Sequence, residues 1–303
     1  MKKIFLLLFF LIFNISFGQK SAHIDSIKAH LTYITKTKSY RNYANIAQLN
    51  KTALYIKSNF EKATQEVAFQ EFKVDGNVYK NVIASFGIKN KTRIIIGAHY
   101  DVCGNQEGAD DNASGIVGLL ELARLLKTKK LKYRIDLVAY TLEEPPYFRT
   151  EKMGSYIHAK SLLDNNVNVY GMVSLEMIGY FTNAHNSQQY PDPRLGAVYG
   201  NQGNFITLVN QNNKKKFASD FGNVFLKTTA IKTVVFDSPP SQPAVDFSDH
   251  LNYWNLGFSA LMITDTAFLR NKNYHTKADT LETLDLPSMK KVIDGVFKTL
   301  IKL

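Results

Sequence analysis

The hydrophobic positions of this chain follow two different periods, which predict where helices and strands lie. Segment 46–63 repeats its apolar residues at helical spacing. Segments 65–74 and 78–88 alternate apolar and polar residues around the turn Asp75-Gly76-Asn77, and this pattern predicts an antiparallel hairpin. From residue 92 onward short apolar runs alternate with amphipathic stretches, an order typical of a mostly parallel sheet.

This second part of the chain predicts a repeated strand-helix unit. The predicted strands are 92–100, 133–144, 169–180 and 259–266, and the predicted helices are 114–130, 154–166 and 286–303. The first of these strands, TRIIIGAHY, is apolar throughout, as in a central strand buried on both faces. Ser114 is the expected N-cap of the helix that follows. We therefore predict an α/β fold in which helices flank a central mixed, mostly parallel sheet. Residues 19–303 are expected to form this fold as a single domain.

The first residues of the chain have a pattern of their own. Two lysines precede an apolar run at 4–13, and small side chains follow at Ser16 and Gly18. The run is short for a bilayer span. We expect residues 1–18 to be a signal peptide, so that the mature chain is periplasmic or secreted and has no stable membrane insertion. An uncleaved N-terminal anchor is the alternative.

Charge and cysteine content narrow the possible partners. The formal net charge is +11, and the basic residues are scattered without a block interleaved with aromatic residues. We therefore expect no nucleic-acid partner. We also expect the chain to be a monomer. Cys103 is the only cysteine, so no internal disulfide forms and a core must supply the stability. Cys103 lies in a loop rich in ligand-type side chains, where it is either a metal ligand or a small buried residue.

Ligand-type side chains concentrate at the ends of the predicted strands. They are His99, Asp101 and Asp111 after the first buried strand, Glu143 and Glu144 after the second, Glu176 at the third, and Tyr274 and His275 after the last. Because the carboxyl ends of parallel strands meet at one edge of a sheet, we expect these residues to converge. Imidazole and carboxylate donors suit Zn²⁺ better than Mn²⁺ or Co²⁺, and two ions need a bridging carboxylate.

Five motifs in this order give the chain a resemblance to a known family. GAHYD, GADDNASG, LEE, LEMIGY and YHT resemble the exported dizinc aminopeptidases, which are related to glutamate carboxypeptidase and to glutaminyl cyclases. The resemblance extends from about Arg41 to the C-terminus. It implies a three-layer zinc-peptidase fold, two Zn²⁺ ions per chain, and peptide substrates with a free N-terminus from which N-terminal residues are removed.

The resemblance also implies a set of metal ligands. His99 and Glu176 would bind one ion, Glu144 and His275 would bind the other, and Asp111 would bridge the two. The peptide bond that follows Asp111 is expected to be cis. Glu176 departs from the family pattern, which has an aspartate at that position, and its longer arm puts the geometry and occupancy of the second ion in question.

Further roles in catalysis follow from the same motifs. Glu143 would be the general base that activates a water molecule, and Asp101 would orient His99 through its ring N–H. Tyr274 would donate a hydrogen bond to the oxyanion of the tetrahedral intermediate. Asp249, in the segment DFSDHLNYW outside these motifs, is a candidate for contact with the substrate amine or with a metal ligand.

Two other activities remain open on the same fold. A glutaminyl-peptide cyclotransferase would use a single zinc ion, but such enzymes tend to have tryptophan where this chain has Tyr274. A carboxypeptidase or dipeptidase would need a basic clamp for the substrate carboxylate, for which Arg149 and Arg270 are candidates. A non-catalytic relative would lack some ligands, whereas this chain has a full set. Segments 145–155 and 180–205 are expected to form walls of the substrate pocket, with a rigid surface loop as the alternative for 145–155.

Overall fold

The computed structural model describes residues 21–211, 216–239 and 245–303. The predicted signal peptide, 1–18, lies outside these residues. The described part of the chain forms one eight-stranded sheet with helices on both faces. None of the helices within it is long and apolar enough to cross a membrane.

The elements alternate as the hydrophobic pattern predicts. The first part contains α1 (Ile24–Thr35), α2 (Ile46–Glu61), β1 (Val67–Val74), β2 (Asn77–Phe86), β3 (Arg93–His99), α3 (Gly115–Leu126), β4 (Arg134–Tyr140), α4 (Gly154–Asp164) and β5 (Val169–Glu176). The second part contains α5 (Leu195–Tyr199), β6 (Ile206–Gln211), α6 (Lys216–Thr228), β7 (Thr233–Ser238), α7 (His250–Asn255), β8 (Ala260–Thr264) and α8 (Leu286–Leu300).

The strand order of the sheet is β1-β2-β4-β3-β5-β8-β6-β7. Strands β4, β3, β5 and β8 are adjacent and mutually parallel, whereas β1, β2 and the β8–β6 pair add antiparallel ladders. The predicted mixed, mostly parallel sheet is therefore confirmed. Because the four central strands run in the same direction, their carboxyl ends lie side by side at one edge.

The central strand β3 is buried on both faces, as its apolar sequence predicts. Ile94 and Ile96 pack into the larger core, which includes residues of α1, α2, α3, α6 and α8. Ile95 points to the opposite face, where it packs with Tyr140 and with Tyr253 of α7. Successive side chains of a strand alternate between the faces of a sheet, so a wholly apolar strand requires helices on both sides. The result is a three-layer α/β structure.

The start of α3 differs from the prediction. Ser114 directly precedes α3 as predicted, but its side chain makes no capping hydrogen bond. Its hydroxyl donates to the carbonyl of Asp110 at 2.7 Å and accepts from the N–H of Ile178 at 2.9 Å. Asn112 takes the capping role instead, since its Oδ1 accepts from the N–H of Gly115 at 3.0 Å.

The sheet extends beyond β8 through two strands that were not predicted, β6 and β7. Helix α6, which connects them, was not predicted either. β6 runs antiparallel to β8, and β7 runs parallel to β6. Strand β6 is only six residues long and directly follows a polar, irregular stretch of sequence, so periodicity alone gives a weak signal there.

Candidate metal centre

The loop that follows β3 carries the first group of ligand-type residues. His99 is the last residue of β3, and the chain turns sharply before it reaches Asp111. Gly108 has φ +58°, and a Cβ at this position would lie 2.3 Å from both the carbonyl oxygen of Asp111 and Val102 Cγ1. Only glycine fits this turn without displacing its neighbours. The expected cis peptide bond between Asp111 and Asn112 is present.

A buried arginine holds the other side of this loop. The guanidinium of Arg41 donates to the carbonyls of Glu107 and Gly108, and its own carbonyl accepts from the N–H of Val102 at 3.2 Å. Arg41 is 2% exposed. Sequence reasoning missed this residue, because nothing in the polar stretch around it forms a motif.

The five predicted ligands converge on one site. His99 Nε2 lies 3.3 Å from Asp111 Oδ1 and 3.4 Å from Glu176 Oε2. His275 Nε2 lies 3.1 Å from Asp111 Oδ2 and 3.2 Å from Glu144 Oε2. The two oxygens of Asp111 therefore face different histidines, and each histidine also has a second carboxylate beside it. This is the arrangement that a carboxylate bridging two ions requires.

The adjacent acids Glu143 and Glu144 are fixed through their backbone by Asp101. The Asp101 carboxylate accepts from the N–H groups of Glu143 at 3.3 Å and Glu144 at 3.1 Å. His99 Nδ1 lies 3.2 Å from the Asp101 carbonyl oxygen and 3.6 Å from its carboxylate. Glu143 Oε2 lies 3.8 Å from His99 Nε2, at the imidazole nitrogen that does not face Asp101. Asp101 thus contacts both the histidine and the strand end that carries the two glutamates.

Two residues that sequence reasoning missed support the ligands from behind. The carboxylate of Asp279 accepts from the N–H groups of Asp110 at 2.9 Å and Asp111 at 3.0 Å. Ser248 donates to Glu176 Oε2 at 2.7 Å. Asp279 lies four residues after a predicted ligand, but an acid at that spacing in a loop carries no signal by itself. Both contacts fix the position of a side chain or loop that faces the site.

The pKa values in the site show a shortage of positive charge. Burial raises the pKa of Glu144 to about 8, and the charge of Asp111 adds to this rise. Burial opposes protonation of His275, but Asp111 and Glu144 outweigh it and raise the pKa of His275 to about 10. The pKa of Asp111 is low despite burial, because His275 and His99 face its oxygens. A bound divalent cation would supply the missing charge.

The donor set fits divalent metal ions. Three groups of side chains each bring their ligand atoms within 4.8 Å of one another: His99 with Asp111 and Glu176, His99 with Glu143 and Glu144, and Cys103 with Glu144 and His275. In the described part of the chain, the buried Glu144 Oε1 has no hydrogen-bond partner. Buried polar atoms without partners are rare in proteins, and a cation bound among these ligand atoms would supply the missing partner.

Tyr274 and Asp249 are the two remaining residues for which the sequence predicts a role at this centre. The ring of Tyr274 stacks on that of His275, with centroids 3.7 Å apart. Burial and the charges of Asp111 and Glu144 raise the pKa of Tyr274, so its hydroxyl keeps its proton and can donate. Asp249 is fully buried at the start of α7, and burial raises its pKa to about 7. Its burial favours a contact within the wall of the site over a contact with the substrate amine.

The two candidate basic clamps are engaged elsewhere. Arg149 forms an ion pair with Asp246, with 2.6 Å between Nη2 and Oδ1. Arg270 is 2% exposed, and it donates to Gln188 Oε1 at 2.8 Å and to the carbonyl of Tyr180 at 3.2 Å. The structure therefore does not bring a free arginine from these two positions to the ligand cluster.

An apolar pocket lies directly beside Glu176. Its lining includes Leu195, Phe205, Val209, Phe236, Phe247 and Met262. The unpredicted strands β6 and β7 form part of its wall, and segment 180–205 forms another part, as expected. Of the aromatic residues in segment 145–155, Phe148 contacts Phe247 at the pocket with centroids 5.6 Å apart. Tyr147 instead donates to Asp75 in the hairpin.

Fold and site together define an α/β protein with a buried histidine-carboxylate centre suited to divalent metal ions at the carboxyl edge of its sheet. The chain belongs to peptidase family M28, whose pattern matches residues 81–300. This membership confirms the family suggested by the motifs.

Comparison with individual proteins agrees with this assignment. The chain is 41% identical over 289 residues to Uncharacterized protein YfbL of Escherichia coli strain K12, covering 93% of this chain and 88% of YfbL. The LapA aminopeptidase of Legionella pneumophila has a TM-score of 0.74 at 20% identity, covering 93% of this chain and 71% of LapA. A glutaminyl cyclase of Bacteroides thetaiotaomicron has a TM-score of 0.69 at 18% identity, covering 94% of this chain and 100% of the cyclase. These two structures share the predicted three-layer fold.

Proposed function

We propose that this chain is a zinc-dependent aminopeptidase that removes apolar residues from the N-terminus of peptides. The observation that carries the proposal is the position of Asp111, whose two oxygens face His99 and His275 at 3.3 and 3.1 Å. Membership of a peptidase family and similarity to an aminopeptidase structure support peptide hydrolysis.

Two zinc ions would be held by the five side chains that converge on the site. We assign His99 and Glu176 to one ion, Glu144 and His275 to the other, and Asp111 to both. Bound there, the ions would polarise the scissile carbonyl and lower the pKa of water from near 16 toward about 7. The longer arm of Glu176 still reaches the cluster, since its Oε2 lies 3.4 Å from His99 Nε2.

Glu143 is the proposed general base. Glu143 is 6% exposed, and its carboxylate lies beside His99 within the ligand cluster. It would take a proton from the attacking water and transfer it to the leaving amine. Asp101 would hold Glu143 in place through the backbone N–H. Tyr274 would donate to the developing oxyanion, a contact worth about 3 kcal/mol in comparable sites.

The surroundings of the centre favour an N-terminal substrate. The apolar pocket beside Glu176 would take the first side chain of the peptide, and the surplus of carboxylates would attract its free amine. A carboxypeptidase needs a cation for the substrate carboxylate, and both Arg149 and Arg270 already have partners.

The second candidate is glutaminyl-peptide cyclotransfer with a single zinc ion. The similarity to a glutaminyl cyclase over that enzyme's whole length supports it. The set of donors around His99 favours a second ion and therefore hydrolysis.

Metal content and substrate choice distinguish the two candidates. The purified mature protein, residues 19–303, is analysed for zinc ions per chain. It is then assayed with a leucine anilide, with and without a chelator. Two zinc ions and chelator-sensitive release of leucine would support the aminopeptidase. One zinc ion, no release, and cyclisation of a peptide with N-terminal glutamine would overturn it in favour of the cyclotransferase. We also propose export, which N-terminal sequencing of the mature protein would test.

A further inference from the structure

The loop between β3 and α3 contains one ligand-type side chain that the proposed mechanism does not use. Cys103 Sγ lies with one ligand atom each of Glu144 and His275 in a group whose members are within 4.8 Å of one another. Cys103 is a free thiol and is partly exposed at the side of the centre. A cysteine kept only for packing would be expected in the apolar core.

A second observation points to a ligand at the same place. Glu144 is 3% exposed, and its Oε2 contacts His275 while its Oε1 has no hydrogen-bond partner among the described residues. A buried carboxylate oxygen without a donor costs free energy unless a cation occupies the position beside it. The thiol and the Glu144 carboxylate belong to the same small group of potential ligands.

We propose that Cys103 is a direct ligand of the ion held by Glu144 and His275. This inference rests on the proposed metal centre. Together with Asp111, the thiolate would give that ion four protein ligands, and zinc can expand to five-coordinate when a water or substrate oxygen binds. The ion bound by His99 and Glu176 would have only nitrogen and oxygen donors from the protein.

The two metal positions would consequently differ in chemistry. A thiolate is a softer donor than a carboxylate, so the position with Cys103 would favour Zn²⁺, Co²⁺ or Cd²⁺ over Mn²⁺. It would also be the position sensitive to thiol reagents, because alkylation of Cys103 removes a ligand. The general base Glu143 lies 3.8 Å from Nε2 of His99, a proposed ligand of the other position.

Cobalt substitution tests this assignment without relying on activity. The metal-free protein is titrated with Co²⁺, and two spectral regions are recorded. Visible bands report that cobalt is bound, and a near-ultraviolet sulfur-to-cobalt band reports a thiolate ligand. Since the sequence has a single cysteine, any thiolate band must come from Cys103. We expect both sets of bands in the natural protein, and loss of the near-ultraviolet band in Cys103→Ser.

Alkylation by iodoacetamide gives an independent measurement. Bound zinc should suppress the labelling of Cys103, and a chelator should restore it. Cys103→Ala serves as a second variant, and circular dichroism confirms that both variants are folded. Two bound cobalt ions without the near-ultraviolet band, or labelling unaffected by zinc, would overturn the proposal while leaving the metal centre intact. Failure of the natural protein to retain any cobalt would overturn both.

Discussion

Glu143 and Glu144 are neighbours in sequence, but the structure gives them different surroundings. Glu144 Oε2 lies 3.2 Å from His275, whereas Glu143 Oε2 lies 3.8 Å from His99. Glu143→Gln keeps the shape of the side chain and removes its ability to accept a proton. We therefore expect this variant to bind two zinc ions normally and to lose turnover.

The size of the loss follows from the role of the group. General base catalysis contributes about 10²- to 10⁴-fold, which is about 3 to 5 kcal/mol. We expect a value near the upper limit, because Glu143 is buried and the other carboxylates of the cluster, Glu144 and Glu176, are proposed ligands. Stability should not fall, since burial and the charges of Glu144 and Glu176 raise the pKa of Glu143 and so disfavour its charged form.

The assay compares kcat on a leucine anilide, zinc per chain and the melting temperature. Glu144→Gln is the matched control, because the same chemical change at the adjacent residue should remove an ion along with activity. Unchanged kcat in Glu143→Gln would refute the general-base assignment. Loss of zinc from Glu143→Gln with retention in Glu144→Gln would mean that the two roles are reversed.

Three further predictions test the ligand set, the pocket and the charge of the site. His275→Ala should bind one fewer zinc ion per chain, and unchanged metal content would remove His275 from the ligands. Val209→Phe narrows the apolar pocket from β6, so kcat/KM for a leucine anilide relative to an alanine anilide should fall about tenfold; an unchanged ratio would place the substrate side chain elsewhere. In the metal-free chain the pKa of Glu144 is raised to about 8 and that of His275 to about 10. The folded state therefore binds more protons at these two groups than the unfolded state does. Its stability consequently falls as pH rises. Bound zinc removes this dependence of stability on pH. The difference in melting temperature between zinc-loaded and chelated protein should therefore widen from about pH 5 to about pH 8. A difference that stays constant with pH would contradict the reasoning.

The sequence was sufficient to predict the part of the fold that forms the site. Strands β3, β4, β5 and β8 are short apolar runs, and each ends in, or leads into a loop with, ligand-type side chains. Parallel strands with helical crossovers bring such ends together, so the convergence of His99 and His275 needed no coordinates. Topology therefore predicted that the two histidines would lie at the same edge of the sheet, and the family resemblance supplied their separate roles.

The unpredicted features depend on contacts between residues distant in sequence. Asp279 binds the backbone of Asp111, 168 residues earlier, and no local pattern encodes such a pair. Ser114 has the residue type of an N-cap, but its hydroxyl is engaged by Ile178 on another segment, and Asn112 caps the helix instead. Local propensity identified the helix correctly, and tertiary hydrogen bonds decided which side chain begins it.

The supporting acids explain how a loop can present its ligands rigidly and still leave their oxygens free. Asp279 accepts from the backbone of Asp111, and Asp101 accepts from the backbone of Glu143 and Glu144. Arg41 binds backbone carbonyls of the same loop, not its carboxylates. Because the chain is fixed through its main-chain groups, the carboxylate oxygens of Asp111 remain directed at the two histidines. Carboxylates buried in this way are stable only when cations or protons balance them, so the hydrogen bonding of the fold favours a bound metal ion at this site.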